Sequence, residues 1–302
     1  MSTATCDIRF SLQDRYADVS LVDELRNLGV SNRAVTISGR ATRSEKEISR
    51  ADFIGASIEE IRTSLTKYLK RHGRPRPSDL VILDMEPQEI APRQLGEFEH
   101  EEKLQRELIA AYRRRIRVAR QELGKAKSRS VKLGLYQVIA PDGKGRPPPE
   151  FRQRMRGYVA AGEQGMYDQL DVICPVLYQR FDANDAKPEL VRKWVAASTR
   201  QAVEESLALT RSNGDRIPLA PILSFWVFNK RPADDPVRPT VPPASIARQL
   251  KIVQNAAGIE TIVFWSGWQT TQEMQSANKP VEPIDISQFL LSVGSLPWPG
   301  CT

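Results

Sequence analysis

The chain is poor in the residues that build metal and thiol chemistry. Its 302 residues include three cysteines and two histidines. Cys6, Cys174 and Cys301 lie far apart and form no CxxC pair, so the usual Cys/His zinc site has no ligand set here. A Ser-His or Cys-His nucleophile also has little support, because neither His72 nor His100 lies in a motif. We expect no metal and no cofactor.

Long hydrophobic runs are missing too. No stretch of about 18 apolar residues occurs, so we expect no membrane-spanning helix and no membrane partner. The N-terminal sequence MSTATCDIRFSLQDR has no apolar core, and no signal peptide is predicted. Cytoplasmic location is therefore the default expectation.

Glycine-rich phosphate loops are absent, since neither GxGxxG nor GxxxxGKS/T occurs, and nucleotide binding by those routes is unsupported. What the chain has in excess is positive charge, with 44 lysines and arginines against 37 acids and a net charge of +7. A basic protein favours polyanionic partners, namely nucleic acid, an anionic polysaccharide or a membrane surface. The net charge does not choose among them.

Short runs rich in Val, Ile and Leu alternate with longer amphipathic stretches. The runs lack strict alternation, as expected of parallel strands that are covered on both faces. Strands are predicted over 6–10, 34–38, 80–86, 131–139, 170–178, 217–228 and 259–266, and helices over 57–70, 102–125, 188–208 and 243–257. This order predicts an α/β fold over residues 1–302: a single TIM-like (β/α) barrel, distorted and of about seven strands. An open doubly wound sheet is the alternative.

The run LVILDME at 80–86 ends in two carboxylates. Alternate side chains of a strand share a face, so Asp84 and Glu86 point one way and Met85 the other. Like charges this close raise the pKa of one acid, which can then act as a general acid near neutral pH. The pair suits cleavage of a glycosidic bond, and a strand end capped by two solvated acids is the alternative.

In a barrel, the carboxyl ends of the strands share one site. Here they carry acids, tyrosines, amides and tryptophans, a set typical of a carbohydrate site because aromatic faces stack on sugars while polar groups bind hydroxyls. Each residue alone could instead serve packing, and the convergence of all of them favours the site. The set is Asp84, Glu86, Tyr136, Gln137, Tyr178, Gln179, Trp226, Asn229, Trp265 and Trp268.

These strands resemble the hyaluronidase family of glycoside hydrolases, which fold as a distorted (β/α) barrel. Residues 80–86 with Pro87 resemble the family's strand ending in Asp-x-Glu. VKLGLYQVIAPD at 131–142 resembles its Gly-aromatic-Tyr strand, which runs into a Pro-Asp loop, and PVLY at 175–178 resembles its Tyr-Pro-Ser-Ile-Tyr strand. GIETIVFWSGW at 258–268 resembles its closing strand, and AVTI at 34–37 resembles an early Val-Thr-Ile strand.

The resemblance implies a retaining, substrate-assisted cleavage of an N-acetylhexosamine-containing, hyaluronan-like polysaccharide. It implies that Glu86 is the general acid/base and that Asp84 holds and polarises the substrate's 2-acetamido group, which is the nucleophile. Tyr178 would hydrogen-bond near that group, and Trp265 would bound the N-acetyl subsite. Tyr136 carries over less directly, because the family's further tyrosine follows a Pro-Asp-Cys that this chain lacks. The implied partner is an anionic polysaccharide.

The chain departs from the family pattern around the acids. The family's Trp between them is Met85 here, its Trp-Arg-Pro after Glu86 is PQEIAPR, and its cysteine pairs have no counterpart. A catalytically silent barrel that binds polysaccharide is therefore an alternative function. A nucleic-acid-binding protein ranks last, because no nucleic-acid module is present and the basic segments 67–76 and 113–120 together hold a single Phe, Tyr or Trp, which is Tyr68. We interpret both segments as solvated helix faces.

Overall fold

Strands and helices alternate along the chain, as the sequence predicts. The computed structural model describes residues 7–12, 33–38, 49–77, 79–85, 102–124, 131–136, 165–179, 188–207, 209–224, 241–257 and 261–266. Its strands are β1 Asp7–Leu12, β2 Arg33–Ser38, β3 Leu80–Asp84, β4 Lys132–Tyr136, β5 Val172–Cys174, β6 Ile222–Ser224 and β7 Thr261–Ser266. Its helices are α1 Arg50–Gly55, α2 Ile58–His72, α3 Glu102–Gly124, α4 Pro188–Leu207 and α5 Pro243–Ala257. Every predicted strand and helix is confirmed, and α1 is an addition.

The chain divides into two compact units. The first unit comprises Met1–Arg33, Val176–Val203 and Ala220–Thr302, and the second comprises Ala34–Pro175 and Glu204–Leu219. That the whole chain acts as one domain stays a prediction.

The second unit is built on four parallel strands in the order β5-β4-β3-β2. Ala34 of β2 pairs with Leu80 of β3, and Leu83 of β3 pairs with Leu135 of β4. Four consecutive residues of β3, Leu80–Leu83, are buried. Burial on both faces of the strand explains why the sequence shows an apolar run here and no alternation.

Gly134 of β4 allows close packing on one face of this sheet. A Cβ atom at position 134 would lie 2.7 Å from the sulfur of Cys174 and 2.9 Å from Cγ2 of Val172. Both atoms belong to short, buried side chains that have little room to move. The position therefore requires glycine for packing.

Helices α2 and α3 cover part of the second unit's core. Helix α2 starts with a capping box, in which the Ser57 side chain accepts from the Glu60 amide and the Glu60 carboxylate accepts from the Ser57 amide. The apolar stripe of α3 is buried as predicted, including Leu108, Ile116 and Leu123. The two helices are joined by an ion pair between Arg62 Nε and Glu122 Oε1 at 3.2 Å.

The prediction that segment 113–120 of α3 is a solvated face is wrong for three of its arginines. Arg115 is 1% exposed and donates to the carbonyl oxygen of Phe53 at 2.8 Å. Arg114 donates to the carbonyl of Ile54. Arg120 donates to the carbonyl of Gln169 at 2.7 Å and is half-buried. Main-chain carbonyls of neighbouring segments accept hydrogen bonds from these guanidinium groups. A run of basic residues in the sequence does not reveal such partners.

The first unit holds three parallel strands in the order β1-β7-β6. Ser11 of β1 pairs with Trp265 of β7, and Ser224 of β6 pairs with the same Trp265. A bridge between Val176 and Ile222 adds the segment after β5 beside β6. Among the described residues, no helix combines the length and hydropathy needed to cross a membrane.

Candidate active site

Asp84 and Tyr136 lie side by side at the carboxyl ends of neighbouring strands. Leu83 pairs with Leu135, and the next residue of each strand is Asp84 and Tyr136. Paired residues of parallel strands point to the same face, and adjacent strands are roughly 4.8 Å apart. Both side chains are half-buried, as expected of groups at the rim of a sheet. Tyr136 in turn pairs with Cys174 of β5.

Met85 lies between Asp84 and Glu86, the two predicted acids. Its side chain is buried and points to the face opposite Asp84, as the alternation predicts. Its carbonyl oxygen accepts a hydrogen bond of 2.9 Å from the Tyr112 hydroxyl of α3. Glu86, Gln137, Trp226, Asn229 and Trp268 lie outside the described residues.

In the first unit, Tyr178 lies two residues beyond the bridged Val176, and Trp265 is the penultimate residue of β7. Val176 is bridged to Ile222, and Tyr178 and Ser224 each follow by two residues. Because Ser224 pairs with Trp265, the backbone positions of these three residues form one row. Tyr178 is half-buried and Ser224 is buried.

Ser224 is a strand-end candidate that the sequence interpretation missed. It is the one hydroxyl-bearing residue of the predicted run 217–228, IPLAPILSFWVF. The sequence analysis selected Trp226, two positions later, because aromatic residues are typical of sugar sites. The isolated serine was a usable signal, and only the register shows that it is level with Trp265.

Gln179 lies in a buried hydrogen-bond network of the first unit. It is 4% exposed; its amide nitrogen donates to Gln249 Oε1 at 2.8 Å, and its amide oxygen accepts from the Ser245 hydroxyl at 3.0 Å. Gln249 in turn donates to the Leu177 carbonyl at 2.9 Å and to the Thr199 hydroxyl at 3.1 Å. The network links the segment after β5 to α4 and α5. At 4% exposure, the Gln179 side chain has little surface left for a sugar contact.

Cys174 does not supply a nucleophile to this edge of the sheet. It is fully buried, and burial raises the pKa of its thiol well above the usual value because the thiolate would lose its hydration. A thiol that stays protonated is a poor nucleophile. Within the described ranges, no group of three or more His, Cys, Asp or Glu side chains could hold a metal ion. The chemistry available in the second unit's row is thus that of a carboxylate beside a phenol.

Comparison with known proteins identifies the fold. No protein-family model and no curated protein matches the sequence. The chain is similar to bee venom hyaluronidase in complex with a hyaluronic acid tetramer, with a TM-score of 0.54, 12% identity and coverage of 98% of both chains. A monoclinic crystal structure of bee venom hyaluronidase gives a TM-score of 0.52 and 12% identity, covering 90% of this chain and 97% of that one. At this identity the likeness shows the fold alone, and it confirms the predicted fold class, an α/β fold of the TIM-like (β/α) barrel type.

Proposed function

We propose that this protein is a glycoside hydrolase that cleaves an N-acetylhexosamine-containing polysaccharide by a retaining, substrate-assisted mechanism. The observation that carries the proposal is the position of Asp84, a half-buried carboxylate at the carboxyl end of β3, beside Tyr136. Carboxyl ends of strands are where barrel enzymes place their chemistry. The fold shared with a hyaluronidase that was crystallised with a hyaluronic acid tetramer supports a polysaccharide as the substrate class.

The proposed first step breaks the glycosidic bond. Glu86 donates its proton to the glycosidic oxygen, and the C1–O bond breaks as the 2-acetamido oxygen attacks C1 and forms a cyclic oxazolinium. Asp84 accepts a hydrogen bond from the acetamido N–H, and its negative charge stabilises the positive charge that develops on the oxazolinium ring. In the second step, water attacks C1 and gives a proton to Glu86, and the ring opens with net retention at C1.

The remaining predicted residues receive binding roles in this proposal. Tyr178 donates a hydrogen bond near the acetamido group, and Trp265 bounds the N-acetyl subsite. The support for these roles is that Trp265 lies near the end of β7 and that the segment carrying Tyr178 is bridged to the neighbouring strand β6. Sugar contacts are further assigned to Tyr136, Gln137, Gln179, Trp226 and Trp268.

Two exposed arginines of the first unit support an anionic polysaccharide. Arg192 on α4 and Arg248 on α5 are both exposed; burial lowers the pKa of Arg248, and the charge of Arg192 lowers it further. Neighbouring cations on an exposed surface attract a polyanion. The nucleic-acid alternative loses support, because Arg114, Arg115 and Arg120 donate to main-chain carbonyls of their own unit.

The test compares two carboxylate-to-amide variants. Glu86→Gln removes the proposed proton donor, and Glu189→Gln changes an exposed glutamate in the first turn of α4. Release of reducing ends from hyaluronan, chondroitin and chitin oligosaccharides is measured with each protein. We expect Glu86→Gln to lower kcat by about 10²- to 10⁴-fold and Glu189→Gln to retain wild-type rates.

Two outcomes would contradict the proposal. Equal activity of wild type and Glu86→Gln would exclude Glu86 as the acid/base. Binding of these glycans by the wild type without any release of reducing ends would favour the catalytically silent barrel, for which the altered PQEIAPR segment after Met85-Glu86 is the motivating feature.

A further inference from the structure

Tyr112 of α3 is bonded to the main chain between the two predicted acids. The tyrosine is buried, and its hydroxyl donates to the carbonyl oxygen of Met85 at 2.9 Å. That carbonyl belongs to the peptide group that begins Glu86. Since a peptide group is planar, a bond that fixes its oxygen also fixes the direction in which the Glu86 amide and Cα leave Met85.

The Tyr112 ring packs against Phe53, which is in turn held by Arg115. Phe53 of α1 meets it edge-to-face, with ring centroids 4.8 Å apart and an interplanar angle of 62°. The guanidinium carbon of Arg115 lies 3.8 Å from the centroid of the Phe53 ring, and Arg115 also donates to the Phe53 carbonyl. Both residues are buried. The edge-to-face contact with Phe53 restricts the orientation of the Tyr112 ring, and the cation–π contact of Arg115 restricts Phe53.

A rigid Met85–Glu86 peptide matters only if the position of Glu86 matters. An acid/base must stay within hydrogen-bond reach of the glycosidic oxygen, and displacement by about 1 Å can lower a rate by about 10²-fold. Asp84 is held by its place on β3, whereas Glu86 follows the last residue of that strand by two positions. The hydrogen bond from the Tyr112 hydroxyl therefore acts on the peptide group that joins Met85 to Glu86, just beyond the end of β3.

We propose that Tyr112 is a positioning residue for Glu86, acting through the carbonyl of Met85, with its ring packed against Phe53. The inference rests on the proposed function for its catalytic consequence. Its structural part, the immobilisation of the Met85–Glu86 peptide by the Tyr112 hydroxyl, can be measured without any turnover.

The chain offers a matched control. Tyr68 of α2 donates through its hydroxyl to the carbonyl of Thr36 in β2 at 3.3 Å, which is the same kind of helix-to-strand bond within the same unit. Tyr112→Phe and Tyr68→Phe each remove one hydroxyl and keep the ring. Melting temperatures of both variants show whether any difference in rate follows from stability.

The first readout is spectroscopic. Met85-Glu86 is the only Met-Glu step in the sequence. Protein labelled with ¹³C-carbonyl methionine and ¹⁵N-glutamate therefore gives one cross-peak that correlates the Met85 carbonyl with the Glu86 amide. We expect this peak to shift and broaden in Tyr112→Phe, because the carbonyl loses its donor and the peptide gains motion, and to stay in place in Tyr68→Phe.

The second readout separates kcat from KM on the substrate that the wild type cleaves. We expect kcat of Tyr112→Phe to fall about tenfold while KM stays within about twofold, since Tyr112 is assigned no substrate contact. Tyr68→Phe should match the wild type in both constants.

An unchanged Met85–Glu86 peak in Tyr112→Phe would overturn the inference, whatever the kinetics. A shifted peak with wild-type kcat would overturn the positioning role while leaving the contact. Equal activity of wild type and Glu86→Gln would instead refute the proposed function, and the peak would still decide whether Tyr112 fixes the peptide.

Discussion

The two ends of the four-stranded sheet in the second unit use their carboxylates differently. At the amino ends of the strands, the acids bind main-chain amides. Asp79, just before β3, is 1% exposed and accepts from the Arg76 amide at 2.7 Å. Asp171, just before β5, accepts from the Leu133 amide at 2.7 Å and from Arg120 at 2.5 Å. These acids hold loops and strands together.

At the carboxyl ends, the main chain is held by a different kind of group. The Met85 carbonyl takes its bond from the neutral hydroxyl of Tyr112, and the half-buried carboxylate of Asp84 points to the opposite face. Carboxylates at the amino ends thus serve stability, whereas Asp84 lies at the carboxyl-end rim, where barrel enzymes place their chemistry.

The largest effect is expected from a pair of variants, each of which replaces one acid at one end of the sheet. Asp84→Asn should lower kcat by about 10²-fold, because in the proposed mechanism it removes the charge that stabilises the oxazolinium, and it should cost less stability than Asp79→Ala. Asp79→Ala should lower the free energy of unfolding by about 2 kcal/mol, because it removes a buried carboxylate that holds the Arg76 amide, while kcat of the folded protein stays unchanged. Urea unfolding and reducing-end assays measure both. The comparison fails if the two variants lose stability and activity in parallel.

A second prediction concerns the packing directly below the Asp84 row. Gly134 shares a face with Tyr136, and Gly134→Ala should destabilise the protein by about 1–3 kcal/mol, because the new methyl group overlaps Cys174 and Val172. Gly124→Ala, at the end of α3 where a Cβ meets nothing within 4 Å, is the control and should cost less than about 0.5 kcal/mol.

Denaturant midpoints give both values, and adding Cys174→Ala to Gly134→Ala tests the cause. The double variant should lose less stability than the sum of the single changes, because the 2.7 Å overlap is gone. Simple additivity would show that this face is not tightly packed beneath Asp84.

The fold was predictable because its signals are local. Among the described residues, apolar runs marked the seven strands, and helical periodicity marked the four longer helices. Helix α1 was missed because six residues are too few to show a period. Its N-cap was nevertheless visible as Ser49 followed by Asp52, whose amide donates to the serine hydroxyl at 3.1 Å.

The site was predictable only in part, because its decisive contacts join distant segments. Strand ends supplied Asp84 and Tyr136, but their adjacency depends on a register that no sequence pattern states. The same pattern selected Gln179, whose amide is bonded to Gln249, 70 positions away. The burial of Arg115 follows from a carbonyl 62 positions away. Polar residues at strand ends are thus candidates for a site. Their hydrogen-bond partners from distant segments determine whether they are available for chemistry or serve packing.

The smallest effect we expect comes from a third acid near the amino ends, Asp168, in the turn before β5. Burial alone would raise the pKa of its carboxyl, but hydrogen bonds from the Ser212 hydroxyl and amide and from the Gly165 amide, with the charge of Arg211, outweigh burial and lower it. A folded-state pKa below the unfolded value of about 3.9 means that the stabilisation is present above that pH and is lost as the pH falls through the folded pKa. Wild type should therefore exceed Asp168→Asn in unfolding free energy at pH 6, by less than about 1 kcal/mol because the half-exposed group is screened by solvent. Denaturant titrations at pH 6, 4 and 3 should show the gap closing on acidification. A gap that is independent of pH would mean that Asp168 contributes through its shape and not through its charge, and would remove it from the acids that distinguish the amino end of the sheet.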